Sequence, residues 1–185
     1  MQQIKEYEVY IVISQTGTFL SRLLKFITKA EYNHASLSLD RTLGTMYSFG
    51  RVNPYNPVVG GFVMESPHWG TFKRFQETEA VVLRVPVTEQ QYLELQAYLA
   101  KMYGEKQKYH YNYLGLFLAW FSIAYQQENA YYCSEFVRDI LDRFAIVDAQ
   151  RFEKIVKPEN FLHVIGDDVV YTGNLQEYAM QEKFF

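Results

Sequence analysis

The chain has 185 residues, 49% hydrophobic and 17% aromatic, with 16 Tyr and 14 Phe; this points to one well-filled domain over residues 1–185 and excludes a disordered chain. A formal net charge of −3 with no basic cluster removes any electrostatic drive toward nucleic acid. A single cysteine excludes internal disulfides.

The first ten residues carry Lys5, Glu6 and Glu8 and do not read as a secretory leader, so a cytoplasmic location is expected. Tyr7 to Ile13 is β-branched and aromatic and reads as a buried strand, closed by Ser14-Gln15-Thr16-Gly17. Thr16 or Thr18 can cap a following helix with Leu20, Leu23, Leu24 and Ile27 on its apolar stripe. Asn33 to Leu39 and Thr45 to Phe49 predict a hairpin turning through residues 40–44, and Arg51 to Gly61, with Pro54, Pro57 and two glycines, predicts a loop. Phe62 to Glu65 and Ala80 to Val85 read as further strands. Thr88-Glu89-Gln90-Gln91 is a capping box opening a helix through Met102, with Tyr92, Leu95, Leu99 and Met102 inward and Gly104 ending it.

Tyr113 to Tyr125 is the longest apolar run. It is shorter than the roughly 20 residues that span a bilayer and predicts a buried core helix. With almost no polar face and no flanking lysine cluster, it does not read as an interfacial helix, so membrane contact is not expected. A helix beginning at Cys133 carries Val137, Ile140, Leu141 and Phe144 as its stripe, Pro158 starts a short helix to Val164, and Asp168 to Thr172 returns to the sheet. The fold class is α+β, with no repeat or linker.

Two residues carry the chemistry. Cys133 falls in the first turn of its helix, where unpaired N–H groups and the positive dipole end favour a thiolate. Its position one turn before Val137 also turns it toward the packed side, as for an inert structural cysteine. His34 opens a strand roughly 100 residues earlier. Alternation puts His34, Ser36 and Ser38 on one face and Ala35, Leu37 and Leu39 on the other. If the hairpin pairs around Thr42, Met46, Ser48 and Gly50 join the His34 face, which reads as a polar groove floor. A base needs a third group to fix its ring. Ser48 is favoured by face and position, Glu65 stays open, and Asp40 is too distant. The Cys133 N–H is a candidate oxyanion donor, with Gln15, Thr16, Asn33 and Tyr132 unranked for the second place and Tyr132 otherwise lining the pocket. His34, His68, His110 and His163 show no ligand spacing, so no metal and no cofactor is expected.

The segments Asn33-His34-Ala35-Ser36, Tyr47-Ser48-Phe49-Gly50-Arg51, Gly60 to Glu65 and Tyr132 to Val137 resemble the circularly permuted papain-like hydrolases. These belong to the NlpC-type peptidase superfamily, with the YiiX/YaeF-like proteins and, more distantly, lecithin–retinol acyltransferase. The resemblance runs from Val9 to about Val164 and implies an antiparallel sheet or partial barrel packed on helices. It also implies a Cys133–His34 pair acting on an amide or acyl bond. The third member in such enzymes is usually polar, one strand after the histidine, and often a carboxylate or histidine; Met46-Tyr47-Ser48 departs from that.

The expected activity is a cysteine amidase or peptidase working through an acyl-enzyme on a small peptide, amide or acyl substrate. The alternatives are a catalytically quiet binding or regulatory domain of the same fold, and a lipid acyltransferase or thioesterase-type relative.

Overall fold

The computed structural model describes residues 6–15, 31–53 and 55–182. The helix expected around Leu20 to Ile27, and Thr16 with it, lies outside them. The described residues form an α+β fold around one eight-stranded sheet in the order β7-β6-β4-β3-β2-β1-β5-β8. The strands are β1 (Tyr7–Gln15), β2 (His34–Ser38), β3 (Met46–Asn53), β4 (Asn56–Glu65), β5 (Glu79–Val87), β6 (His110–Tyr111), β7 (Ala130–Tyr131) and β8 (Val169–Asn174). All neighbours pair antiparallel except β6 and β7, so the sheet is mixed. Six helices accompany it among the described residues: α1 (Gly70–Arg74), α2 (Glu89–Gly104), α3 (Tyr113–Trp120), α4 (Cys133–Arg143), α5 (Asn160–Ile165) and α6 (Leu175–Gln181).

Both faces of the central strands are buried. On one, Val9, Ile11, Ile13, Ala35, Leu37 and Phe49 pack against the stripes of α2 (Leu95, Leu99, Met102) and α4 (Phe136, Val137, Ile140, Leu141). On the other, Tyr10, Val12, Met46 and Val82 are covered by Phe72 of α1 and by Leu175 and Tyr178 of α6. The capping box of α2 forms as the sequence predicts, with the Gln91 N–H donating to Thr88 Oγ1 at 3.2 Å and the Thr88 N–H to Gln91 Oε1 at 2.9 Å. Helices α1 and α6 are five and seven residues long, too short to announce themselves by periodicity.

Three expectations need correcting. The His34 face of the hairpin is no open groove floor. Ser36, Ser38 and Ser48 are sealed beneath α1 and α6, and Ser38 Oγ satisfies itself on the carbonyls of Asp40 and Thr45. The Arg51–Gly61 loop is instead the end of a long hairpin, with Arg51 opposite Gly60 and Asn53 opposite Asn56 across a tight turn. Finally, the apolar run at 113–125 is not a core helix. It folds as α3 only to Trp120, and Leu114, Phe117, Phe121 and Ile123 are half or more exposed. With α2, α4, α1 and α6 already covering the sheet, α3 stands beyond its β6–β7 edge, where apolar character alone cannot secure burial.

Candidate functional site

The register of three strands assembles the site. Ser14 of β1 lies opposite His34, and Met46 of β3 lies opposite Glu65. Directly opposed residues share a face, so His34, Ser36, Met46 and Glu65 all project to the α1/α6 side. There the His34 Nε2–H donates to Glu65 Oε2 at 2.8 Å, and Ser36 Oγ donates to the same oxygen at 2.9 Å. The His34 ring also meets Phe72, centroid to centroid at 6.1 Å.

The nucleophile candidate comes from the opposite face. Helix α4 packs against Ala35 and Leu37, with Cys133 as its first residue. The two faces meet because the β2–β3 ladder is short: its register pairs are Leu37–Tyr47 and Ser38–Met46. Beyond them Ser48 Oγ donates to the Ala35 carbonyl at 2.7 Å, satisfying a buried acceptor in the splayed region. At that seam the Cys133 sulfur lies 3.9 Å from the Asn33 carbonyl oxygen, close enough to the imidazole to raise its pKa. Glu65 occupies Nε2, which leaves Nδ1 for the sulfur.

The electrostatics follow from that arrangement. Burial by itself pulls the His34 imidazole toward its neutral form. The charge of Glu65, the adjacent Cys133 and the hydrogen bond to Glu65 outweigh this, and the group is raised from 6.5 to about 10. At neutral pH His34 is therefore an imidazolium held between a carboxylate and a thiol. Gly50 permits the approach from below. A Cβ there would stand 3.3 Å from Glu65 Oε1 and 3.6 Å from His34 Cε1.

No family model, curated protein or solved structure matches this chain.

Several sequence-predicted residues fall elsewhere. Ser48 is spent on the Ala35 carbonyl and does not orient His34; the carboxylate of Glu65 does, which corrects the favoured third residue. Asn33 meets the sulfur through its backbone carbonyl, while its N–H donates to the Ser14 carbonyl at 3.1 Å. Tyr132 lines no open pocket, being 6% exposed, and burial raises its phenol to about 12. Gln15 pairs with Glu79 at the end of β1; strand alternation turns it away from the His34 face and toward the side on which α4 packs. His68, His110 and His163 are exposed.

Three neighbours of the pair were not singled out by the sequence. Tyr111 of β6 feels Cys133 electrostatically, and burial together with that charge pushes its phenol well above the ordinary value. Glu135, in the first turn of α4, accepts the Tyr132 N–H at 3.3 Å and the Asn112 Nδ2–H at 3.5 Å; burial shifts its carboxyl upward. Asn112 is itself buried and joins three segments. Its Oδ1 accepts the Gly115 N–H at 2.7 Å, its Nδ2 donates to the Tyr125 carbonyl at 3.2 Å, and its N–H donates to the Tyr131 carbonyl at 3.0 Å. The signal was present: an Asn directly before an apolar helical run is a strong N-cap.

Proposed function

We propose that this chain is a cysteine hydrolase of amidase or peptidase type, arranged as in permuted papain-like enzymes. Cys133 is the nucleophile, His34 the acid and base, and Glu65 the residue that positions the ring. One observation carries the reading: a single imidazole bonded on Nε2 to a half-buried carboxylate and interacting with a thiol at a helix start. The thiolate is the form of sulfur that attacks a carbonyl carbon.

In this reading the Cys133 thiolate adds to the substrate carbonyl carbon, forming a C–S bond and moving the carbonyl electron pair onto oxygen. The unpaired Cys133 N–H at the start of α4 stabilises that oxyanion. The Tyr111 phenol, kept protonated in its buried site, is the second donor. As the carbonyl reforms, the bond to the leaving amine or alkoxide breaks, and His34 supplies its proton. Neutral His34 then takes a proton from water, whose oxygen attacks the thioester, and the thiolate and the imidazolium are restored.

A second reading, a catalytically quiet binding domain, is favoured by the 6% exposure of Cys133. Alkylation and intact-mass measurements separate the two. The hydrolase reading expects fast iodoacetamide labelling of Cys133 at pH 6, slow labelling in His34→Ala, and a stable acyl adduct on Cys133 with activated ester or thioester substrates. Labelling of His34→Ala at the wild-type rate, or no adduct from any acyl donor, leaves only the quiet domain.

A further inference from the structure

The exposed face of α3 continues into the tip of the β3–β4 hairpin. Phe117 and Phe121 are 57% and 60% exposed, and on the hairpin Val52, Tyr55 and Val59 are exposed in turn. The two elements adjoin at Gly60, where a Cβ would come within 2.8 Å of the Tyr113 hydroxyl. Contiguous exposed apolar patches mark a contact surface.

The charge around the ridge identifies what it contacts. Residues 49–77 carry Arg51, Lys73 and Arg74 against Glu65 and Glu77, and Lys106 and Lys108 precede α3. The chain as a whole has 21 acids against 18 bases, so the Arg51, Lys73 and Arg74 group is a local cationic patch on an anionic protein. The fold brings the segments together: Arg74 lies 4.4 Å over the ring of the exposed Tyr55, Arg51 pairs with Gly60, and Gly61 pairs with His110. Of the acids in and around these segments, Glu65 is committed to His34 and Ser36 and Glu105 to Lys108 at 3.1 Å, while Glu77 and Glu128 stand at the outer ends.

We propose that this ridge docks on an anionic lipid surface, with α3 and the hairpin tip seated among the acyl chains and headgroups and the cations facing the anionic headgroups. Apolar side chains inserted at the interface, aromatic rings with polar tips at headgroup depth, and a surrounding set of bases are the three elements such binding uses. A second copy of the chain would set like charges against each other around the same patch. The docking stands independently of the hydrolase reading.

The test is co-sedimentation of the full chain with vesicles of phosphatidylcholine alone and of phosphatidylcholine with phosphatidylglycerol, with oligomeric state followed by sedimentation velocity. Binding is expected to the phosphatidylglycerol vesicles, weakened by salt, and lost in Phe117→Ser/Phe121→Ser, whose far-UV spectrum and Tm stay those of the parent. Lys73→Gln/Arg74→Gln is expected to bind those vesicles about 30-fold more weakly. No vesicle binding by the parent chain, equal binding to neutral and anionic vesicles, or unchanged binding by the phenylalanine variant overturns the proposal. So does a dimer that the phenylalanine variant abolishes while the parent ignores vesicles.

Discussion

Helices α4 and α3 sit side by side along the chain and behave in opposite ways. Helix α4 carries Glu135, Arg138, Asp139, Asp142 and Arg143 among eleven residues and is largely buried; α3 carries no charge in eight and faces outward. Amphipathicity, with a defined stripe for the sheet to accept, decided the first. In the second, sheer hydrophobicity left Leu114 and Phe117 at least half exposed. Burial follows complementarity of faces more than it follows apolar content.

The largest effect expected from this contrast is on stability. Phe136→Ala removes a ring packed 5.2 Å from Phe49 and 5.6 Å from Phe62 and should cost about 3–5 kcal/mol in urea unfolding. Phe117→Ala should stay within about 0.5 kcal/mol. Comparable losses would mean that α3 is as much a part of the core as α4.

Next comes the anchor at the start of α4. His34 is raised from 6.5 to about 10 in the folded protein. Its contribution to stability is therefore complete below about pH 6.5 and is lost as pH rises through about 10, a change of up to about 5 kcal/mol. Glu65→Gln should lower the His34 titration seen by NMR and flatten this part of the pH profile. An unmoved titration would remove Glu65 from its role.

Tyr111→Phe is expected to reduce acylation about 10²-fold at unchanged stability; an unchanged rate would leave the second oxyanion donor to Gln15. Smaller again is Asn112→Ala, which loosens α3 from α4 and should cost about 1–3 kcal/mol. Gly50→Ala, at 3.3 Å from Glu65 Oε1, should cost about 1 kcal/mol and shift the His34 titration, whereas a glycine serving the turn alone would leave the titration in place.

What the sequence disclosed was local. The Thr88 capping box, the α4 stripe and the alternation of β2 each depend on residues a few positions apart, and each appears in the fold. Choosing Glu65 over Ser48 required the β3–β4 register. That register was hidden because Arg51 to Gly61, with its prolines and glycines, reads as a loop rather than as strands meeting at Asn53 and Asn56. Ser48 shared the right face, but a buried hydroxyl beside an unpaired Ala35 carbonyl is claimed by the backbone first. The cations around α3 were invisible for the same reason. They come from three separate stretches, and no window along the chain contains them together.

The short β2–β3 ladder has a practical corollary. Sulfur and imidazole approach from opposite sides of a sheet, so their encounter exists only while strand, helix and splay are all in place. Alkylation kinetics at Cys133 thus provide a built-in gauge of native topology. As β2 and α4 separate during denaturation, the proposed nucleophile should lose reactivity whereas a merely buried thiol should gain it, reporting long-range closure that bulk helix content cannot resolve.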